Sequence, residues 1–314
     1  MRVVVTGAAG FIGSHLCEHL LDNGDDVIGI DCFTDYYDPR RKHANITGLL
    51  RHERFRLERA NLLTTPLPAL LEGAEVVYHL AGQPGVRPSW GEDFRTYAKR
   101  NLLATQRLLE AARDIQLRKF VYASSSSVYG DAEAYPTVES VRPRPVSPYG
   151  VTKLAAEHLC ELYRTTASVP TASLRLFTVY GPRQRPDMAF HRLIEAAAAG
   201  GQFFLYGDGE QTRDFTYVGD VITAMRKAAT SGWTGVANIG GGSRTSMHEV
   251  VRLVSEIVKP VEIVRLPVQR GDVRHTAADT TVAREGFGYV PTVGLTDGLT
   301  RMASVHAVPA ARVP

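Results

Sequence analysis

No apolar run in this sequence approaches the roughly 18 residues that a membrane-spanning helix needs, and Met1-Arg2 pass straight into VVVTG. Without a basic stretch leading into an apolar core, no secretory signal is expected, and the chain reads as a soluble cytoplasmic protein with no membrane partner. Cysteine is scarce. Cys17, Cys32 and Cys160 form no CxxC pair and cannot all pair with one another, which excludes a disulfide framework and points to reduced, buried thiols. No charge block stands out: 36 Lys and Arg face 33 Asp and Glu, a net charge of +3. No basic run interleaves with aromatic residues, so no nucleic-acid partner is expected. Repeats and low-complexity segments are missing too. The last stretch, ASVHAVPAARVP, has two prolines and little periodicity, and reads as a loose tail.

What the chain does have is alternation. Its 314 residues, 44% of them hydrophobic, suffice for two lobes around a substantial core. β-Branched runs (RVVVTG, DVIGID, FRLERAN, AEVVYHLAG, KFVYASS, TASLRLFTVYG and, later, VANIGG) are separated by helical patterns. The first such pattern covers residues 11–23 and stops at Gly24. The expected fold is therefore α/β: a doubly wound, Rossmann-like parallel sheet with a smaller mixed α/β substrate-binding lobe. The boundary is expected near residue 176. Residues 1–176, with about 214–240, would form the dinucleotide lobe, and 177–213 with 241–314 the other. Such sheets bind ligands where strands end, so strand-end residues carry most of the information.

TGAAGFIG places Gly7, Gly10 and Gly13 at the first turn of the first helix. Glycine lets the backbone approach a pyrophosphate, and the helix start at Phe11 and Ile12 offers free N–H groups at a positive dipole end. Asp31 ends the second strand 18 residues past Gly13, where a carboxylate takes the ribose hydroxyls of NAD and repels the extra phosphate of NADP. Asn61 with Leu62, Leu80 with Ala81, and Gln83 and Asn101 are candidates for the rest of that cofactor track. His15 and His19 have an i, i+4 metal spacing, but a helix packed against a dinucleotide fold leaves little room for an open site. Both are read as structural, and no metal is expected.

Chemistry is carried by SPYGVTK. Tyr149 and Lys153 stand four residues apart, one turn along one helix face. A phenol is a poor base near neutrality, so an adjacent ammonium, helped by a positive nicotinamide, is expected to lower its pKa. Four serines, Ser124 to Ser127, end the strand KFVYASSSS with no carboxylate among them.

Together, TGAAGFIG, HLAG, SSSSVYG, YGVTK, LRLFTVYGPRQRPDM, YGDGEQTRDF and RGDVRHTAAD resemble the extended branch of the short-chain dehydrogenase/reductases, over nearly the whole chain. That branch includes nucleotide-sugar epimerases, dehydratases and decarboxylases. The resemblance implies a catalytic triad of Ser125, Tyr149 and Lys153, tightly held NAD, and a UDP-sugar oxidised at C4, turned over and reduced from its other face. Dehydratases and decarboxylases of the branch typically carry carboxylates where Ser126 and Ser127 stand, which weighs against both activities. Small hydroxyls suit a substrate carboxylate instead. Thr178 and Arg185 are placed to join Ser125, Ser126 and Ser127 around it, holding a C4-oxidised uronate in an orientation unsuited to losing CO2.

UDP-glucose 4-epimerases usually have Asn at the position of Thr178. DYYDPRRK and GQPGVRPS bring the chain nearer to UDP-glucuronate 4-epimerases. Resemblance further implies that Arg213 and Arg270 meet the diphosphate, that Asp272 meets the uridine ribose and Tyr206 the uracil, and that Arg87 reaches the phosphates or the sugar. It also implies a homodimer built on helices 96–113 and 149–163. Asn61 and Cys32 depart from the branch, which more often has Asp and Asn at those positions.

Overall fold

The computed structural model of the chain describes residues 1–307. Alternation of strand and helix begins as expected, with β1 (Arg2–Thr6), α1 (Phe11–Asp22), β2 (Asp26–Ile30), α2 (Pro39–Ile46) and β3 (Phe55–Glu58). Next come α3 (Pro68–Leu71), β4 (Val76–His79), α4 (Phe94–Tyr97), a π-helical stretch (Ala98–Leu103), α5 (Ala104–Arg113) and β5 (Lys119–Ser125). α6 (Pro148–Thr166) and β6 (Thr171–Leu176) follow. Beyond them lie β7 (Val179–Tyr180), α7 (Ala189–Ala199), β8 (Gln202–Tyr206), β9 (Thr212–Asp214), β10 (Thr216–Tyr217) and α8 (Val218–Thr230). The chain finishes with β11 (Gly235–Ile239), β12 (Arg244–Ser246), α9 (Met247–Ile257), β13 (Glu262–Leu266), α10 (Thr281–Phe287) and α11 (Leu295–Ala307).

Seven strands form one sheet in the order β11-β6-β5-β4-β1-β2-β3, and every pairing within it is parallel. Alternate side chains point to opposite faces. Accordingly Val3 and Val5 of β1 join one apolar cluster and Val4 the other, each fully buried. A sheet covered on both faces needs such runs of apolar residues, and each buried valine contributes about 1.5–3 kcal/mol relative to exposure. The order in which strands are added reverses between β1 and β4, and a crevice opens beyond the ends of those strands, the usual ligand position in this architecture.

Three two-stranded sheets, β7·β10, β8·β13 and β9·β12, lie outside the large one. β11 returns to the large sheet beside β6, and α8 packs against α1, β5 and β6. The loose tail is corrected in part. α11 runs through Ala307 because Leu299 and Met302, one turn apart, are fully buried. The rest of that tail lies outside the described residues. Cys17 and Cys160 are buried as expected, whereas Cys32 is exposed, because it follows β2 at the mouth of the crevice. Among the described residues no helix is long and apolar enough to cross a membrane, and no group of three His, Cys, Asp or Glu is disposed to hold a metal. Both ring nitrogens of His15 are engaged, one by the Pro182 carbonyl at 2.9 Å and one by Arg183 at 2.9 Å.

Candidate active site

The crevice is a cavity of about 790 Å³ lined from Gly7 to Met188, and beyond Tyr36, Gly85, Val86 and Thr178 it meets a second of about 590 Å³. At the head of the larger cavity the glycines are there because nothing else fits. Gly7 has φ +73, and a Cβ on it would lie 2.9 Å from the Ala81 nitrogen. A Cβ on Gly13 would collide with the Gly7 carbonyl. α1 therefore starts hard against β1. Its N-cap, Gly10, makes no side-chain cap bond, and its first turn holds no acid. Unused N–H groups facing a cavity suit a pyrophosphate.

Asp31 is not a solvated turn acid. It is buried, its carboxylate accepts the Phe33 N–H at 2.7 Å and the Ala9 N–H at 3.2 Å, and the Lys42 ammonium stands 3.5 Å away. The remaining acceptor capacity fits a ribose diol. Lys42 belongs to the DYYDPRRK stretch, but its pairing with Asp31 depends on α2 folding back and was not foreseen. Asn61 accepts the Leu63 N–H at 3.0 Å, so part of its acceptor capacity closes a turn. Asn101 sits in the π-helical stretch, a distortion that often marks functional positions. Its amide accepts from Gln83 N–H at 2.6 Å, and donates to the Gln83 carbonyl and to the Thr152 hydroxyl at 3.0 Å each. It thus ties the loop after β4 to the residue beside Lys153.

α6 begins at Ser147, whose hydroxyl accepts the Gly150 N–H at 3.1 Å, a cap worth about 1 kcal/mol. The strand-end serines meet this helix start. A Cβ on Gly150 would lie 2.5 Å from the Ser127 carbonyl. Tyr149, Lys153, Ser125, Ser126, Ser127, Thr178 and Arg185 all line the larger cavity. The serines do two jobs. Ser125 accepts the Ser127 N–H at 3.1 Å, starting a 3-10 turn. Ser124 points the other way and donates to Glu157 at 2.8 Å.

Electrostatics correct one expectation. Burial raises the Tyr149 pKa; the Ser125 hydrogen bond and the Arg185 charge pull it down, and burial wins. Lys153 is not among the causes. Its own pKa is lowered by burial to about 8, and the Cys160 and Glu157 charges oppose that shift. Its ammonium lies 4.4 Å from the centre of the Tyr122 ring, a cation–π contact that keeps the charge partly accommodated. An i, i+4 spacing shares a face, but it does not aim the ammonium at the phenol.

At the second cavity, Arg87, Tyr206, Arg213 and Asp272 come together as expected. Arg87 stacks on Tyr206 at 4.0 Å and pairs with Asp272 at 2.7 Å. Arg213 donates to the carbonyls of Thr212, Val273 and Arg274, at 2.9, 2.6 and 3.0 Å. Arg270 stacks on Trp90 at 4.0 Å and lines neither cavity. Nothing local in RGD signals this, because Trp90 is 180 residues away. Arg192 and Arg274 line the second cavity and were missed. Arg274 stood in plain view in RGDVRHTAAD, whereas Arg192 faces inward only through the pitch of α7.

A doubly wound parallel sheet, a glycine-cradled helix start and a Ser-Tyr-Lys cluster at one crevice define a nucleotide-cofactor enzyme of the Rossmann class. The chain matches the NAD dependent epimerase/dehydratase family over residues 3–240 and belongs to it, and the cofactor of that family is NAD. It is 46% identical over 306 residues to a Bacillus subtilis protein named as an uncharacterized UDP-glucose epimerase, YtcB, covering 96% of each chain. It is 37% identical to a UDP-glucose 4-epimerase of Mycolicibacterium smegmatis, over 96% of this chain and 97% of the other. Among solved structures, the UDP-glucuronic acid 4-epimerase of Bacillus cereus in complex with UDP-glucuronic acid and NAD superposes with a TM-score of 0.94. That match has 45% identity and covers 97% of this chain and 98% of that one.

Proposed function

We propose that this protein interconverts UDP-glucuronate and UDP-galacturonate at C4. One observation carries the reading: β5 delivers hydroxyls and no carboxylate into the cavity where Tyr149, Lys153 and Arg185 meet. Bound NAD would take up the C4 hydride and return it to the opposite face. Tyr149 is the group assigned to the C4 hydroxyl proton, with Ser125 sharing it and lowering the cost of the phenolate. Lys153 holds positive charge near that site, and Gly7, Gly10, Gly13 and Asp31 hold the cofactor. Ser126, Ser127, Thr178 and Arg185 hold the substrate carboxylate, so that the C4-oxidised sugar turns as a unit without losing CO2. Arg87, Arg213 and Asp272 belong to the UDP end, and Arg270 reaches it only by leaving Trp90.

The lobe division stated above, a homodimer through the α5 and α6 faces, and a cytoplasmic location are parts of the same proposal. Incubation with UDP-glucuronate should give UDP-galacturonate. UDP-xylose or a 4-keto pentose as sole product would reject the assignment. Tyr149→Phe should lower kcat at least 10²-fold, the ordinary contribution of a general acid–base group.

The second reading is a UDP-glucose 4-epimerase, favoured by the names of the Bacillus subtilis and Mycolicibacterium relatives. It requires turnover of neutral sugars and tolerance of Arg185→Ala. The uronate enzyme should lose affinity on that change.

A further inference from the structure

Arg185 is not a free guanidinium waiting in the cavity. Its Nε donates to one oxygen of Asp187 at 3.0 Å and its Nη2 to the other at 3.1 Å. This two-bond fork is the geometry a sugar carboxylate would ask of the same arginine. The Tyr36 hydroxyl also donates to Asp187, to the oxygen that takes Nη2, at 3.3 Å. Arg185 lines the larger cavity, Asp187 the smaller and Tyr36 both, so the three residues stand where the two cavities meet.

We propose that Asp187 is a specificity-determining placeholder: its carboxylate occupies Arg185 in the free protein, and only a substrate carrying its own carboxylate displaces it. This rests on the uronate reading. The Arg185 and Asp187 side chains are 20% and 38% exposed, so water reaches their pair. A pair that water reaches is screened more than a buried one, and another carboxylate offering the same two-bond fork can take its place. Tyr36 gives the displaced carboxylate a partner, and solvent takes the rest of its charge. A neutral hydroxymethyl group at C6 has no charge with which to compete, and meets an arginine already taken. Discrimination then comes from an internal competitor as well as from attraction.

The opposite role, Asp187 as a brace that aims Arg185, predicts the opposite sign. Removing a competitor tightens uronate binding, and removing a brace loosens it. The test measures dissociation constants in Tyr149→Phe holoenzyme, so that turnover does not intrude. UDP-glucuronate, UDP-glucose and UDP are titrated with and without Asp187→Asn.

The Kd for UDP-glucuronate should fall about fivefold relative to those for UDP-glucose and UDP, the factor by which a weak surface pair competes. Asp187→Glu should restore the original ratio. An unchanged ratio, a weaker uronate complex, or an equal shift for all three nucleotides would overturn the proposal. Wild-type protein that fails to convert UDP-glucuronate would sink the functional reading instead, so the two failures are distinct.

Discussion

The charge proposed for Lys153 makes a prediction about pH. Its side chain is a base whose pKa burial lowers to about 8. Below that pH it is an ammonium, and above it the charge is lost. If the charge supports removal of a proton by Tyr149, kcat/KM should fall as pH rises through about 8. In Lys153→Arg, where the cation persists, this limb should vanish even if kcat drops. A wild-type profile flat between about pH 7 and 9 would contradict the role. At this scale the sequence was legible wherever function depends on spacing along one element: YxxxK on a helix, GxxGxxG at a helix start, Asp31 at a strand end. It was illegible where a side chain is diverted by a distant partner. Trp90 takes Arg270, Asp187 takes Arg185, and Tyr122 takes the Lys153 ammonium.

Elements hold the site through one buried polar chain. Glu157 of α6, one turn past Lys153, accepts from Ser124 of β5 and pairs with Arg175 of β6 at 2.5 Å. Arg175 also donates to the Tyr129 hydroxyl at 2.7 Å, and that hydroxyl donates to Asn238 of β11 at 2.7 Å. Four elements behind the strand-end serines are thereby locked in register. Both ions are nearly inaccessible, at 3% and 4% exposure, so Arg175→Met strands a carboxylate. It should destabilise by about 3–5 kcal/mol in urea unfolding, while adding Glu157→Leu recovers part of the loss. Equal stability of Arg175→Met and wild type would show that the pair contributes nothing. The strands and helices themselves were readable from alternation. This chain of polar contacts was not, because SLRL reads as one apolar strand and its arginine gives no sign of pointing inward.

For the molecule as a whole, the proposed homodimer makes the prediction. Leu103, Val151 and Leu162 are about half exposed, on the π-helical stretch and α6. The proposed homodimer would cover them. Sedimentation should report twice the 34.4 kDa chain mass, and Leu162→Glu should return the single-chain value. A wild-type monomer would remove the dimer from the account.

The place of β11 beside β6 bears on how the polypeptide matures. A ribosome that has released residues 1–176 has delivered six strands of the sheet, yet the flank of β6 waits for a strand about sixty residues downstream. Until that strand emerges, unpaired backbone groups on β6 can recruit a neighbouring nascent chain. The interval between the two strands is therefore the stage at which a holdase chaperone would most improve the yield of folded protein, and at which slowed translation would lower it.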